Sequence, residues 1–233
     1  MKLSHVQIKV ADINKAAEDF RRLGFEVEMG RENATNAFIF FGNDVFIELF
    51  SMAPSTEKMA FLLGLYRGRG MKDRWKKWSC RKDMLLDFAI EGKTPERADL
   101  KNFNKRREEI IRKGIPCSKP VVGSRKPPNK PKTKFGFFAP DIPELPFVVS
   151  AYTVSQKPER SNHKNGARRI KWLKVECTPE HGKMIRRLVG DDKQIRLVRG
   201  SKTRPVSLCF EGLKGKLDPS LLHGLKVEYE EDK

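Results

Sequence analysis

Polar and apolar residues alternate from 3 to 10 (Leu-Ser-His-Val-Gln-Ile-Lys-Val), the two-residue period of a half-buried strand. Asp12 then stands where a helix cap belongs. Ala16, Ala17, Phe20 and Leu23 recur at three- and four-residue spacing, so the sequence predicts an amphipathic helix over 13–23, stopped by Gly24. Strand-like runs follow at 25–29, 37–41 and 45–50, with Gly42-Asn43-Asp44 as the turn between the last two. The first fifty residues therefore predict the order β-α-β-β-β.

That order returns twice. A strand at 84–90 is followed by a helix at 97–113 ending at Gly114, an extended stretch at 115–122, and strands at 135–139 and 146–152. The helix-to-strand joint repeats visibly: Phe20-Arg-Arg-Leu-Gly-Phe-Glu-Val27 parallels Ile110-Ile-Arg-Lys-Gly-Ile-Pro-Cys117. A third, degraded copy has a strand at 170–177, a helix from Pro179 to Leu188 stopped by Gly190, and short strands at 195–198, 207–210 and 225–229. Residues 55–66 predict a short amphipathic helix, 67–82 a basic connector, and the Pro- and Lys-rich 123–133 a loop. The expected division is 1–52, 53–82, 83–160 and 161–233. A βαβββ unit cannot bury its sheet face alone, so two copies are expected to pair in one α+β fold.

The 233 residues are 38% hydrophobic and 33% charged, enough apolar material for a real core. No run of about 18 apolar residues occurs and residues 1–10 lack a signal-type apolar stretch, so the expectation is a cytoplasmic protein that does not enter the membrane. Cys80, Cys117, Cys177 and Cys209 are scattered without CxxC spacing, which favours buried thiols over two disulfides. The net charge of +18 draws anionic partners: an acidic small molecule, or nucleic acid as a weaker alternative. No phosphate-binding glycine loop, Ser–His–Asp set or dinucleotide fingerprint is present.

Several motifs in order carry a resemblance: His5-Val-Gln-Ile-Lys-Val-Ala-Asp-Ile13, Leu23-Gly-Phe25, Asn36-Ala-Phe38, Phe46-Ile-Glu-Leu49, Pro120-Val-Val-Gly-Ser-Arg125, Leu145-Pro-Phe147 and His163-Lys-Asn-Gly-Ala167. Together they resemble the glyoxalase-like domains of the vicinal oxygen chelate superfamily, over nearly the whole chain. The resemblance implies paired βαβββ modules in a half-open barrel. It also implies a divalent metal (Mn, Fe, Co, Ni or Zn) held by His or Gln on each first strand and Glu on each fourth, serving lyase, isomerase or dioxygenase chemistry.

His5 and Glu48 match the first module's metal ligands, with Glu48 able to double as a catalytic base. The second module offers Leu85 or Leu86 on its first strand and Ser150 on its fourth. The third offers Lys171 or Trp172, and Glu228. Two protein donors hold a transition metal weakly. A binding or sequestration protein that lost the metal site therefore stands beside the enzyme. Asn36, Ser150, Arg125 and His163 are the candidate ligand-binding residues. Arg125 belongs to a basic run (Lys126, Lys130, Lys132, Lys134) that could clamp a carboxylate or phosphate. The alternative for His163 is a cap on strand ends, and for Trp75 and Trp78 the packing of a helix onto the body. A homo-oligomer is compatible with this reading.

Overall fold

The structure, a computed structural model, describes residues 1–31, 34–52, 57–93, 100–126, 131–158 and 161–229. Parts of the expected 55–66 and 97–113 helices and of the 123–133 loop lie outside these residues.

Strand β1 (Lys2–Lys9) is followed by helix α1 (Ile13–Arg22) and strands β2 (Glu28–Met29), β3 (Asn36–Phe40) and β4 (Phe46–Phe50). Asp12 caps α1 by accepting from the amides of Asn14 and Lys15 at 2.9 and 3.1 Å. Gly24 has a φ of +85°, and a β-carbon there would meet the Asn165 backbone at 2.9 Å, so both conformation and space demand glycine. Helices α2 (Glu57–Arg67) and α3 (Arg69–Trp78) then lead to β5 (Met84–Glu91), α4 (Leu100–Arg112), β6 (Val121–Arg125), β7 (Thr133–Phe138) and β8 (Phe147–Val149). The basic connector is thus largely helical.

Two β-α-β-β-β units pair through their first strands. β1 lies beside β4 in parallel and β5 in antiparallel, closing a curled eight-stranded half-barrel in the order β2-β3-β4-β1-β5-β8-β7-β6. Alternation decides which side chains face which layer. Val6, Ile8, Phe88 and Ile90 face a buried core shared with Ala16, Ala17 and Phe20 of α1 and Phe103 and Ile110 of α4. His5 and Gln7 face the concave side. Part of the expected loop is a hairpin: Gly123, Ser124 and Arg125 pair with Phe135, Lys134 and Thr133. The Pro- and Lys-rich composition masked that ladder.

The C-terminal unit contains β9 (Arg169–Cys177), α5 (Pro179–Val189), β10 (Ile195–Arg199), β11 (Arg204–Glu211) and β12 (Val227–Glu228). Its element order is the predicted one, but its pairing differs. β10 lies parallel beside β9, and β11 antiparallel on the other side, giving β10-β9-β11-β12. Its inner face joins the main core through Ile170, Leu173, Val175 and Phe210. His223 braces the junction, with Nδ1 at 2.7 Å from Asp83 Oδ2 and Nε2 at 3.1 Å from Asp19 Oδ2. Cys80, Cys117, Cys177 and Cys209 are free thiols, the last three buried. Among the described residues no helix is long and apolar enough to cross a membrane.

Candidate functional site

The concave face of the half-barrel encloses a cavity of about 710 Å³, within the range of small-molecule sites. Of the residues singled out from sequence, His5, Asn36, Glu48, Arg125 and Ser150 all line it.

Its polar wall is built on β1, β3 and β4. Gln7 and Glu48 are direct partners in the parallel ladder, and Phe38 is Glu48's partner on the other side. Gln7 Nε2 donates to Glu48 Oε2 at 2.8 Å, and Asn36 Nδ2 donates to Glu48 Oε1 at 3.2 Å. His5 Nε2 lies 3.6 Å from Glu48 Oε2. The His5 ring stacks on Phe46 at 4.5 Å and meets the Phe147 edge at 5.4 Å. Burial among these rings lowers the His5 pKa to about 4 against the pull of Glu48, so the imidazole is neutral near pH 7. The Gln7 side-chain oxygen is buried and has no hydrogen-bond partner among the described residues.

Arg125 enters the cavity from β6, the edge strand of the second module. Its guanidinium carbon lies 3.9 Å from the centre of the Phe38 ring and 5.1 Å from that of Tyr152. Nε, Nη1 and Nη2 are all buried and have no hydrogen-bond partner among the described residues. Two aromatic faces hold the cation but satisfy none of its donors. Burial raises the Tyr152 pKa well above the ordinary phenol range, so its hydroxyl stays protonated. Phe40, Phe46, Phe137, Phe147 and Trp78 complete a largely aromatic floor.

The second module puts different side chains at the positions equivalent to His5 and Glu48. About the local two-fold through the Val6–Phe88 pair, His5 corresponds to Asp87 and Gln7 to Ala89. Gln7 faces Glu48 where Ala89 faces Phe147, so Phe147 stands at the counterpart of Glu48. The sequence expectations of Leu85 or Leu86 and of Ser150 at these positions are therefore corrected. A register shift between Leu85 and Asp87 displaces the period-two count. Ser150 Oγ instead accepts from the Gly136 amide at 2.8 Å and donates to the Ala151 carbonyl at 2.9 Å.

Asp87 is saturated by α3. Arg74 Nη1 donates to its two oxygens at 2.8 and 2.6 Å, Trp78 Nε1 donates at 2.8 Å and Lys77 at 3.1 Å. Burial alone would raise its pKa, but Arg74 and Lys77 outweigh it and hold the carboxyl below its usual range. Sequence reading missed Arg74 and Asp87. Only the helical spacing of Arg74, Lys77 and Trp78, which places them on one face, hinted at a shared target.

The donor set can be weighed against the metal that the resemblance implies. His5 and Glu48 approach each other, but their counterparts are a neutralised Asp87 and an apolar Phe147. No group of three or more His, Cys, Asp or Glu side chains suited to a metal occurs among the described residues. These residues do not fit a tightly held transition metal.

His163 lies apart from the cavity lining. Its Nδ1 accepts from the Glu26 amide at 3.0 Å, its Nε2 sits 3.1 Å from the Phe40 carbonyl, and its ring packs against Phe25 and Phe41. Burial lowers its pKa. These contacts make His163 a cross-brace between strand ends, the alternative weighed for it from sequence.

A curled sheet of two β-α-β-β-β units around an internal cavity defines the vicinal oxygen chelate class of folds. Residues 3–189 match the model of the glyoxalase-like domain family, and the chain belongs to that family. A hypothetical protein from Staphylococcus aureus is similar in structure, with TM-score 0.63 and 12% identity over 90% of each chain. The Mn(II)-bound glyoxalase from Novosphingobium aromaticivorans is similar at TM-score 0.49 and 12% identity, over 90% of this chain and 64% of that one. The 2,3-dioxygenase LapB from Pseudomonas sp. KL28 is similar at TM-score 0.48 and 9% identity, over 90% and 74%. No curated protein matches the sequence at a significant level.

Proposed function

We propose that this protein binds a small, oxygenated, anionic molecule with an apolar body in the half-barrel cavity. The observation that carries the proposal is Arg125, a guanidinium held between Phe38 and Tyr152 with three buried nitrogens that have no partner among the described residues. A buried charge without a partner is costly, and a planar carboxylate or phosphate matches its fork. The aromatic floor accepts the ligand body. Glu48 and the Gln7 oxygen, which has no partner among the described residues, supply acceptors in the same cavity, favouring a ligand that also carries a hydroxyl donor. Binding without metal-dependent turnover is the reading the donor set supports. If chemistry occurs here, Glu48 beside a neutral His5 is the group placed to take a proton.

The test is calorimetric titration of the full chain with benzoate, 4-hydroxybenzoate and uncharged benzyl alcohol. The expected order is 4-hydroxybenzoate tightest and benzyl alcohol weakest, with the carboxylate preference lost in Arg125→Met. Equal binding of all three, or a preference that survives the substitution, overturns the proposal. Metal content of the purified protein, and its melting temperature with added Mn(II), check the alternative. Stoichiometric metal lost on His5→Ala would establish a metal site at His5 and overturn the metal-free reading.

A further inference from the structure

Helix α2 presents an apolar face that nothing among the described residues covers. Ala60 is fully buried, and Gly64 lets the helix approach α3 closely, since a β-carbon there would lie 3.0 Å from the Lys72 side chain. On the other half of the circumference Met59, Phe61, Leu62, Leu65 and Tyr66 are exposed, from 50% for Met59 to 73% for Tyr66. A helix apolar on every side is ordinarily buried on every side. Solitary exposed apolar residues are normal, but five contiguous large ones on two turns mark an interaction surface.

We propose that this face is the interface of a homodimer, in which α2 of one chain packs antiparallel against α2 of a second copy. Area supports that occupant. Phe and Tyr side chains bury about 150–250 Å² each when fully covered and Leu and Met somewhat less, so five at half to three-quarters exposure offer on the order of 600 Å² per chain. A standard interface buries about 800 Å² per partner, so these five side chains account for about three-quarters of one.

The arrangement of the residues suits a two-fold axis. Met59, Leu62 and Tyr66 form one ridge at three- and four-residue spacing, and Phe61 and Leu65 a second, so the patch can interdigitate with itself. Charge fixes the direction. Arg67 and Arg69 stand at the C-terminal end of the helix, and the Lys119 amide is bonded to the Arg67 carbonyl there. A parallel pair would stack these cations, whereas an antiparallel pair sets them at opposite ends of the contact. The net charge of +18 per chain still opposes association at long range, so this dimer strengthens as salt rises.

Sedimentation velocity of the full chain over a range of concentrations, in low and high salt, tests the proposal. The expected result is a concentration-dependent mass reaching twice that of the chain, with a larger dimer fraction in high salt. Leu65→Lys is expected to weaken the dimer by about 100-fold or more, because the axis introduces each charge twice. Its circular dichroism and melting curve are expected to stay close to the parent's, and Phe61→Lys to behave alike. Val198→Lys, an added charge on the exposed edge of β10, is expected to leave the dimer intact. A monomer at all concentrations in both salts overturns the proposal, as does a dimer that survives Leu65→Lys. A monomer that binds phosphatidylglycerol vesicles through this face, and releases them as salt rises, overturns it in favour of a lipid surface.

Discussion

Replacing Arg125 by Met separates a ligand-binding role from a structural one, because the two predict opposite signs. In the free protein the guanidinium gains cation–π contact with Phe38 and Tyr152, each worth about 0.5–2 kcal/mol. Against this stands a desolvated charge whose three nitrogens have no partner among the described residues, an effective penalty of several kcal/mol. Met keeps most of the stem and the ring contacts while removing the charge. The free variant is therefore expected to be more stable by about 1–2 kcal/mol, a rise in melting temperature of about 2–8 °C for a chain of this size. Binding of 4-hydroxybenzoate moves the other way. Losing two charge-assisted hydrogen bonds costs about 3 kcal/mol, so affinity falls by about 100-fold. Differential scanning calorimetry with and without the probe measures both effects. A variant that melts several degrees lower without ligand would show that the protein itself already supports the guanidinium, and the reasoning fails.

Arg74→Leu is expected to destabilise the fold by about 3–5 kcal/mol, because Asp87 keeps only Lys77 and Trp78 as side-chain partners; urea denaturation monitored by Trp fluorescence measures it. The His5 pKa is about 4 in the fold against 6.5 when free, so below pH 6.5 the unfolded chain binds the extra proton and stability falls toward pH 4, by on the order of 3 kcal/mol. His5→Gln should flatten that slope, and an unchanged slope would refute it. His163→Ala is expected to cost about 2–4 kcal/mol of stability while leaving probe affinity within a factor of about two. A selective loss of probe binding would return His163 to the cavity.

The half-barrel was legible because its signals are local. Val6 and Ile8 alternate with His5 and Gln7, and the helix after them carries its own cap and stop. The first module's wall followed from the same alternation, which puts His5 and Glu48 on the concave side. What escaped was set by long-range register. Asp87 hides behind an irregularity in β5 that breaks the two-residue count, and its partners come from a segment whose composition resembles a solvated linker. Arg125 was singled out as one cation in a basic run. Its distinction from Lys126 or Lys132 lies in the two rings that enclose it, which sit far away in sequence at 38 and 152.

The position of β1 has a consequence for the order in which this chain can acquire structure. It precedes every other strand in sequence yet occupies the middle of the eight-stranded sheet, between β4 and β5. On a ribosome its apolar face emerges early but has no antiparallel neighbour until Met84–Glu91 has followed. Its Leu3 amide then waits for Asp192, which accepts it at 2.7 Å. Pairings across such sequence separations close slowly and leave strand edges open in the interim. Nascent chains of this protein should therefore lean on chaperones until the C-terminal unit has docked.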